Sequence, residues 1–318
     1  MTQRAAEKVA RYFTRVPRIG VILGSGMGSL ADHFEVEAAI NYADLPGFLS
    51  STAAGHRGRL LCAVYRSAEL EVPVLLFQGR SHIYEGVAKE VILRPVALLK
   101  ELGGRVLIQT NASGALKSDH QVGDVVLTDR HLGLLGSRLK EQALMREKPL
   151  AILLRRYYEL TEKKGWQEEP LQKKEHSQEG RVYSERLIDF LWKHAKEGEE
   201  PWSALVRNKL HRGTYIGVDG PNYETPAEAK MYAMVGDCIG MSTVFEAEEA
   251  YRLGLETIAL SVITNKVHLF DQTEIESDHV LEVAKATAPV VGELLSTLIV
   301  FLANAKSQEK RDNQNGIV

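Results

Sequence analysis

Arg18-Ile19-Gly20-Val21-Ile22-Leu23-Gly24-Ser25-Gly26-Met27-Gly28 is an apolar run that stops abruptly in glycines. A run of that length, bounded by turn residues, reads as a buried strand followed by a tight turn. The same grammar recurs along the chain. Residues 59–65 and 72–78 read as two more strands, 89–102 as a helix, and 105–109 as a strand ending at Thr110-Asn111-Ala112-Ser113-Gly114. Residues 124–128, 213–218 and 257–263 are further strands, while 227–235 and 246–253 have helical spacing. Strands alternating with helices predict an α/β fold: a single domain over residues 1–305 whose central sheet is mixed, mostly parallel and flanked by helices. Ligand sites in such folds gather at the carboxyl ends of the strands.

The composition is that of a globular protein, with 318 residues, 44% hydrophobic, 25% charged and a formal net charge of -3. Nothing in that balance recruits nucleic acid, so any anion site is local. Cys62 and Cys238 stand in unrelated contexts and predict neither a disulfide framework nor a zinc site, which fits a reducing, cytoplasmic compartment. Residues 1–15 read as an amphipathic helix rather than a signal peptide. The most apolar window, 286–304, contains Pro289, Gly292 and Glu293 and reads as a C-terminal core helix rather than a membrane span. The polar tail 306–318 reads as disordered. Residues 137–212 are rich in charge, carry Trp166, Trp192 and Trp202, and read as a solvated helical insertion with helices near 150–163 and 182–196.

The polar residues cluster where the strands end. Gly24–Gly28 can present backbone N–H groups and the Ser25 hydroxyl to an anion, although Ser29 stands where a dinucleotide fingerprint has its third glycine. Gly79-Arg80-Ser81-His82-Ile83-Tyr84-Glu85-Gly86 places Arg80, His82 and Tyr84 at alternate positions, on one side of an extended segment. An Arg fork matches phosphate in a way that Lys does not. His56 sits among small residues after Ala53, Ala54 and Gly55, a composition suited to a closing loop. Asn111-Ala112 and Met241-Ser242-Thr243 supply further hydroxyl and backbone donors. Gly220-Pro221-Asn222-Tyr223-Glu224-Thr225 and Ile263-Thr264-Asn265-Lys266 offer a carboxylate beside an aromatic ring and an amide beside a hydroxyl, a set that can grip the edge and face of a purine. The ten histidines are scattered and show no metal-ligand spacing.

In this order, together with His279, these segments resemble the trimeric purine nucleoside phosphorylases, and the likeness runs from about Val21 to the C-terminal helix. The resemblance implies a partly barrel-like sheet and a pentosyltransferase of purine salvage. Its reaction is reversible phosphorolysis of purine (deoxy)ribonucleosides, with inorganic phosphate as co-substrate and no cofactor or metal. By similarity, phosphate is held by Ser25, Arg80, His82, the Ala112 backbone N–H and Ser242, with His56 closing over it. Tyr84, Asn111, Met241 and Tyr223 contact the nucleoside, and His279 reaches the 5′-hydroxyl. Glu224, Thr264 and Asn265 bind the base. Asn265, Glu224 and His56 are the catalytic candidates. The partners implied are nucleoside, phosphate and two further copies of the chain, with no nucleic acid and no membrane. Asn265 favours 6-oxopurines such as inosine and guanosine over 6-aminopurines. The alternatives are a methylthioadenosine phosphorylase, a hydrolytic nucleosidase, a non-catalytic nucleoside-binding module and, more remotely, a dinucleotide-dependent oxidoreductase. The family's Asn-Pro-Leu and Arg-Phe elements have no counterpart in 137–212, and Phe245 stands where the family has proline.

Overall fold

A computed structural model describes residues 1–49, 55–67, 69–134, 182–267 and 277–314. The chain begins with α1 (Thr2–Ala10), amphipathic as expected, with Ala5, Ala6 and Val9 buried. β1 (Ile19–Leu23) is buried along its whole length. The glycine turn leads into a short 3-10 helix, Gly28–His33. β2 (Glu35–Asn41), β3 (Arg59–Arg66) and β4 (Glu71–Gln78) follow. The helix read over 89–102 is two: α2 (Lys89–Ile92) and α3 (Arg94–Glu101). Pro95 is the reason, since it lacks an N–H and fits only the first turn of a helix.

β5 (Val106–Ala115) runs straight through Asn111-Ala112-Ser113-Gly114, where a strand end was expected. The ladder continues because Gly114 and Ala115 have partners on both edges. The rest of the chain comprises β6 (Val125–Gly133), α4 (Glu185–Glu197), α5 (Pro201–Val206), β7 (Leu210–Gly217), α6 (Pro226–Ala233), β8 (Cys238–Gly240), α7 (Val244–Arg252), β9 (Glu256–Lys266) and α8 (Ser277–Gln314).

The nine strands form one sheet in the order β2-β3-β4-β1-β5-β8-β7-β6-β9, and β9 also pairs with β5. That extra pairing closes β5, β8, β7, β6 and β9 into a ring, with β2, β3, β4 and β1 as an open wing. The pairs β1–β4, β1–β5, β5–β9, β6–β7 and β7–β8 are parallel, and β2–β3, β3–β4, β5–β8 and β6–β9 antiparallel. The sheet is therefore mixed and partly barrel-like. β1, β4, β5 and β9 run the same way, so their carboxyl ends share one rim, and β8 meets β5 at that rim through Gly114 and Ile239.

Apolar layers cover both faces. One combines strand residues such as Val21, Leu61 and Ile108 with Ala284, Leu294 and Leu298 of α8; the other combines Ile22, Leu75 and Leu107 with α1 and α3. The segment from Val182 on is part of this structure rather than a solvated insertion. Ser184 caps α4, accepting from the Leu187 N–H, and Leu187, Ile188, Leu191 and Ala195 enter the first layer. Each such Leu contributes about 1.5–3 kcal/mol by leaving water. The charged residues of α4 lie on its other face, which is why composition alone suggested solvent. The expected helix near 150–163 lies outside the described residues. α8 is apolar enough over Asp278–Ala305 to cross a membrane, yet Ala284, Ala288, Val291, Leu294, Leu295, Leu298 and Ile299 pack into the core. It extends to Gln314, beyond the point at 306 where a disordered tail was expected.

Candidate active site

Nearly every functional candidate faces one cavity at the shared rim. β1 delivers Gly24 and Ser25; β4 delivers Arg80, His82 and Tyr84; β5 carries Asn111, Ala112, Ser113 and Gly114. The loop after β7 brings Tyr223 and Glu224, β8 ends in Met241 and Ser242, β9 ends in Thr264 and Asn265, and His56 closes one side. His279 is the exception. It is exposed on α8, and its neighbour Val280 lines the cavity instead. Successive helix positions point about 100° apart, and here Val280 takes the inward one.

One end of the cavity gathers a guanidinium, imidazoles and hydroxyls, donors that could serve an anion. Arg80 is 2% exposed, and its guanidinium is held from behind. Its Nη1 lies 3.3 Å from Glu246 Oε1 and 3.5 Å from Thr243 Oγ1, and its Nη2 donates to the Thr110 carbonyl. Thr243 adopts φ 72°, a left-handed conformation costing a β-branched residue on the order of 1–3 kcal/mol. That backbone begins α7 and leaves Ser242 on the cavity wall, its N–H donating to Tyr215 Oη at 3.3 Å. Glu246 was not singled out from the sequence, and Thr243 and Thr110 were quoted there only within their motifs, without a link to Arg80. The signal for Glu246 was an acidic residue in the first turn of a helix following Ser-Thr.

Three rings stack along the same end: His56 on His82 at 5.1 Å and His82 on Tyr84 at 4.8 Å. Glu85 orients His82, accepting from its backbone N–H at 2.7 Å and lying 3.0 Å from its Nδ1. His56 Nε2 is 3.3 Å from Ser25 Oγ, and its Nδ1 is 2.9 Å from the Arg80 carbonyl. Burial, reinforced by the neighbouring His82 and Arg80, pushes the His56 imidazole down to about 3, so it stays neutral at ordinary pH. Burial also raises Tyr84 to about 12.

The other end suits a heterocycle. Thr264 Oγ1 is 3.1 Å from Asn265 Oδ1 and 3.3 Å from the Ser113 carbonyl. The Thr264 hydroxyl has one proton for these two acceptors, and its donation to Oδ1 leaves Nδ2 as the donor of the amide. Gly114 makes room for it, since a Cβ there would stand 3.1 Å from Asn265 Nδ2. Glu224 is buried, and Tyr223, its hydroxyl raised by burial and by Glu224, stands at the rim. Asn111 faces the cavity but is engaged by the protein. Its Nδ2 donates to Thr243 Oγ1 at 2.9 Å, and its Oδ1 accepts from Ser113 Oγ at 2.6 Å. Its place is that of a brace between the two ends. Among the described residues, no group of three His, Cys, Asp or Glu side chains could hold a metal ion.

The fold and this rim define a class: the model of the phosphorylase superfamily matches residues 18–300. The chain is 31% identical over 289 residues to purine nucleoside phosphorylase 1 of Bacillus subtilis, covering 89% of this chain and 92% of that one. It is 30% identical to the purine nucleoside phosphorylase of Bos taurus, covering 94% of each. The Schistosoma mansoni purine nucleoside phosphorylase, solved with inosine, superposes with a TM-score of 0.69 at 26% identity, covering 94% of this chain and 95% of that one. The same enzyme has also been solved with adenosine. The chain belongs to the purine nucleoside phosphorylase family of the phosphorylase superfamily.

Proposed function

We propose that this protein cleaves purine nucleosides by phosphorolysis, giving free base and (deoxy)ribose 1-phosphate, with a preference for 6-oxopurines. One observation carries the reading: the Arg80–Ser242 end and the Glu224–Asn265 end share a single cavity. Phosphate held by Ser25, Arg80, His82, the Ala112 N–H and Ser242 lies below the anomeric carbon. As the C1′–N9 bond breaks, positive charge grows on the sugar and its electron pair passes to the purine. The phosphate dianion stabilises the first, and a phosphate oxygen forms the new bond to C1′. Asn265 Nδ2 donates to N7 and stabilises the second, while Glu224 accepts from N1–H. Neutral His56 closes the phosphate end against water, and Tyr84, Tyr223 and Met241 pack on sugar and base.

Preference for inosine and guanosine rests on the Asn265 amide, which donates to N7 and adapts to an O6 acceptor. Val280 on the wall, where His279 is not, leaves a 5′-methylthio nucleoside as a second substrate class. We further propose a cytoplasmic homotrimer without a cofactor, following the family resemblance. The test is turnover of inosine, guanosine, adenosine and methylthioadenosine with and without phosphate. Base release from inosine and guanosine that requires phosphate supports the reading. Phosphate-independent release indicates a hydrolase, and preference for methylthioadenosine installs the second reading.

A further inference from the structure

We infer that His56 works as a tautomer switch that turns the Ser25 hydroxyl from the imidazole to the bound anion. The inference rests on the phosphate reading above and adds a proton position to it. His56 Nδ1 is 2.9 Å from the Arg80 carbonyl oxygen and 3.2 Å from the Arg80 backbone nitrogen. The carbonyl only accepts and the N–H only donates, whereas Nδ1 of a neutral imidazole is either donor or acceptor. One atom therefore faces two partners that it cannot satisfy together.

Each choice dictates the other side of the ring. If Nδ1 carries the proton, it donates to the Arg80 carbonyl, and Nε2 is a lone pair that the Ser25 hydroxyl, 3.3 Å away, donates into. If Nε2 carries the proton, Nδ1 accepts from the Arg80 N–H and Nε2–H donates to Ser25 Oγ. The Ser25 proton then points into the cavity, where an oxyanion needs a donor. The shorter contact favours the first arrangement, and a bound anion favours the second. The imidazole keeps one N–H throughout: the proton leaves Nδ1, another arrives at Nε2 by exchange with water, and no charge is gained.

The surroundings hold the switch in place. Burial, with His82 and Arg80 nearby, disfavours the imidazolium before the anion arrives. The stack on His82 fixes the ring plane. Gly79, at φ 105°, leaves the ring its space, since a Cβ there would come 2.7 Å from His56 Cβ. Tyr42 donates to the Gly79 carbonyl at 2.8 Å and so fixes the Gly79–Arg80 peptide plane with its N–H aimed at His56. Tyr42 is a positioning residue in this arrangement.

The test is long-range 1H–15N spectroscopy of the full chain labelled at histidine, titrated with inorganic phosphate and followed in parallel by calorimetry. His56→Gln identifies the His56 signals by their loss. The expected result is protonated Nδ1 without phosphate and protonated Nε2 at saturation, with no switch in Ser25→Ala at the higher phosphate concentration that calorimetry shows to saturate that weakened site. The same protonated nitrogen in both states of a calorimetrically saturated sample overturns the inference and leaves the phosphate reading intact. A Ser25→Ala protein that switches like the parent overturns it too. Absence of phosphate binding overturns both. If His56→Gln does not fold, neutron diffraction of parent crystals with and without phosphate locates the same proton.

Discussion

Glu246→Gln isolates the charge that the fold sets against Arg80. Both side chains are 1% exposed, and Nη1 lies 3.3 Å from Oε1, so glutamine keeps the shape and an acceptor while deleting the charge. Removing one partner of a buried ion pair costs about 3–5 kcal/mol, much of it the penalty of leaving the other charge alone. Unfolding entropy is about 2.1 cal/mol/K per residue. Over 318 residues the variant's thermal midpoint therefore falls by about 4–8 °C. Phosphate brings negative charge to the same guanidinium, so saturating phosphate raises the variant's midpoint by more than it raises the parent's. Arg80→Met combined with Glu246→Met removes both charges, recovers most of the lost stability and abolishes the phosphate response. The assay is scanning calorimetry at fixed protein concentration with and without phosphate. A Glu246→Gln midpoint equal to the parent's, or equal phosphate stabilisation of the two proteins, refutes the reasoning.

Asn265→Ala removes the donor to N7 and lowers inosine turnover by about 100–1000-fold. Asn265→Asp shifts the inosine-to-adenosine ratio towards adenosine, and a ratio that stays put defeats this account of base selection. Gly114→Ala drives a methyl group to 3.1 Å from Asn265 Nδ2, so it impairs nucleoside kinetics and leaves the KM for phosphate unchanged; steady-state kinetics varying each substrate reveals the opposite pattern if the two ends are misassigned. Folded His56 titrates near 3 and its unfolded counterpart near 6.5. The unfolded chain thus binds more protons in that window, and the His56 contribution to stability, complete above pH 6.5, is lost as pH falls towards 3. Denaturant unfolding between pH 4 and 7 is flatter in His56→Gln than in the parent, and an identical slope contradicts the burial argument.

The strands were legible because they are continuous apolar runs, and the cavity because its residues follow those runs directly. β2 and β8 were not. β2 is an edge strand whose side chains are mostly exposed, and β8 has three residues, too few to show a period. The integration of α4 into the core was hidden for another reason. Its Leu187, Ile188 and Leu191 form a narrow stripe, and the charged majority around them dominates the composition. Among the site residues, those that face the cavity could be read as donors and acceptors in sequence order. Glu246 and Tyr42 could not, because they act through Arg80 and through the Gly79 carbonyl, and that proximity arises only when α7 and the segment after β2 meet β4. His279 shows the converse limit: adjacency in sequence to a wall residue does not put a side chain on the wall.

The account depends on phosphate and base occupying opposite ends of one cavity. A crystal soaked with phosphate and hypoxanthine tests this directly. The prediction is an anion bonded to Arg80 and Ser242, with the base bonded through N7 to Asn265 Nδ2 and through N1–H to Glu224. An anion bound away from Arg80, or a base that leaves Asn265 and Glu224 untouched, contradicts it.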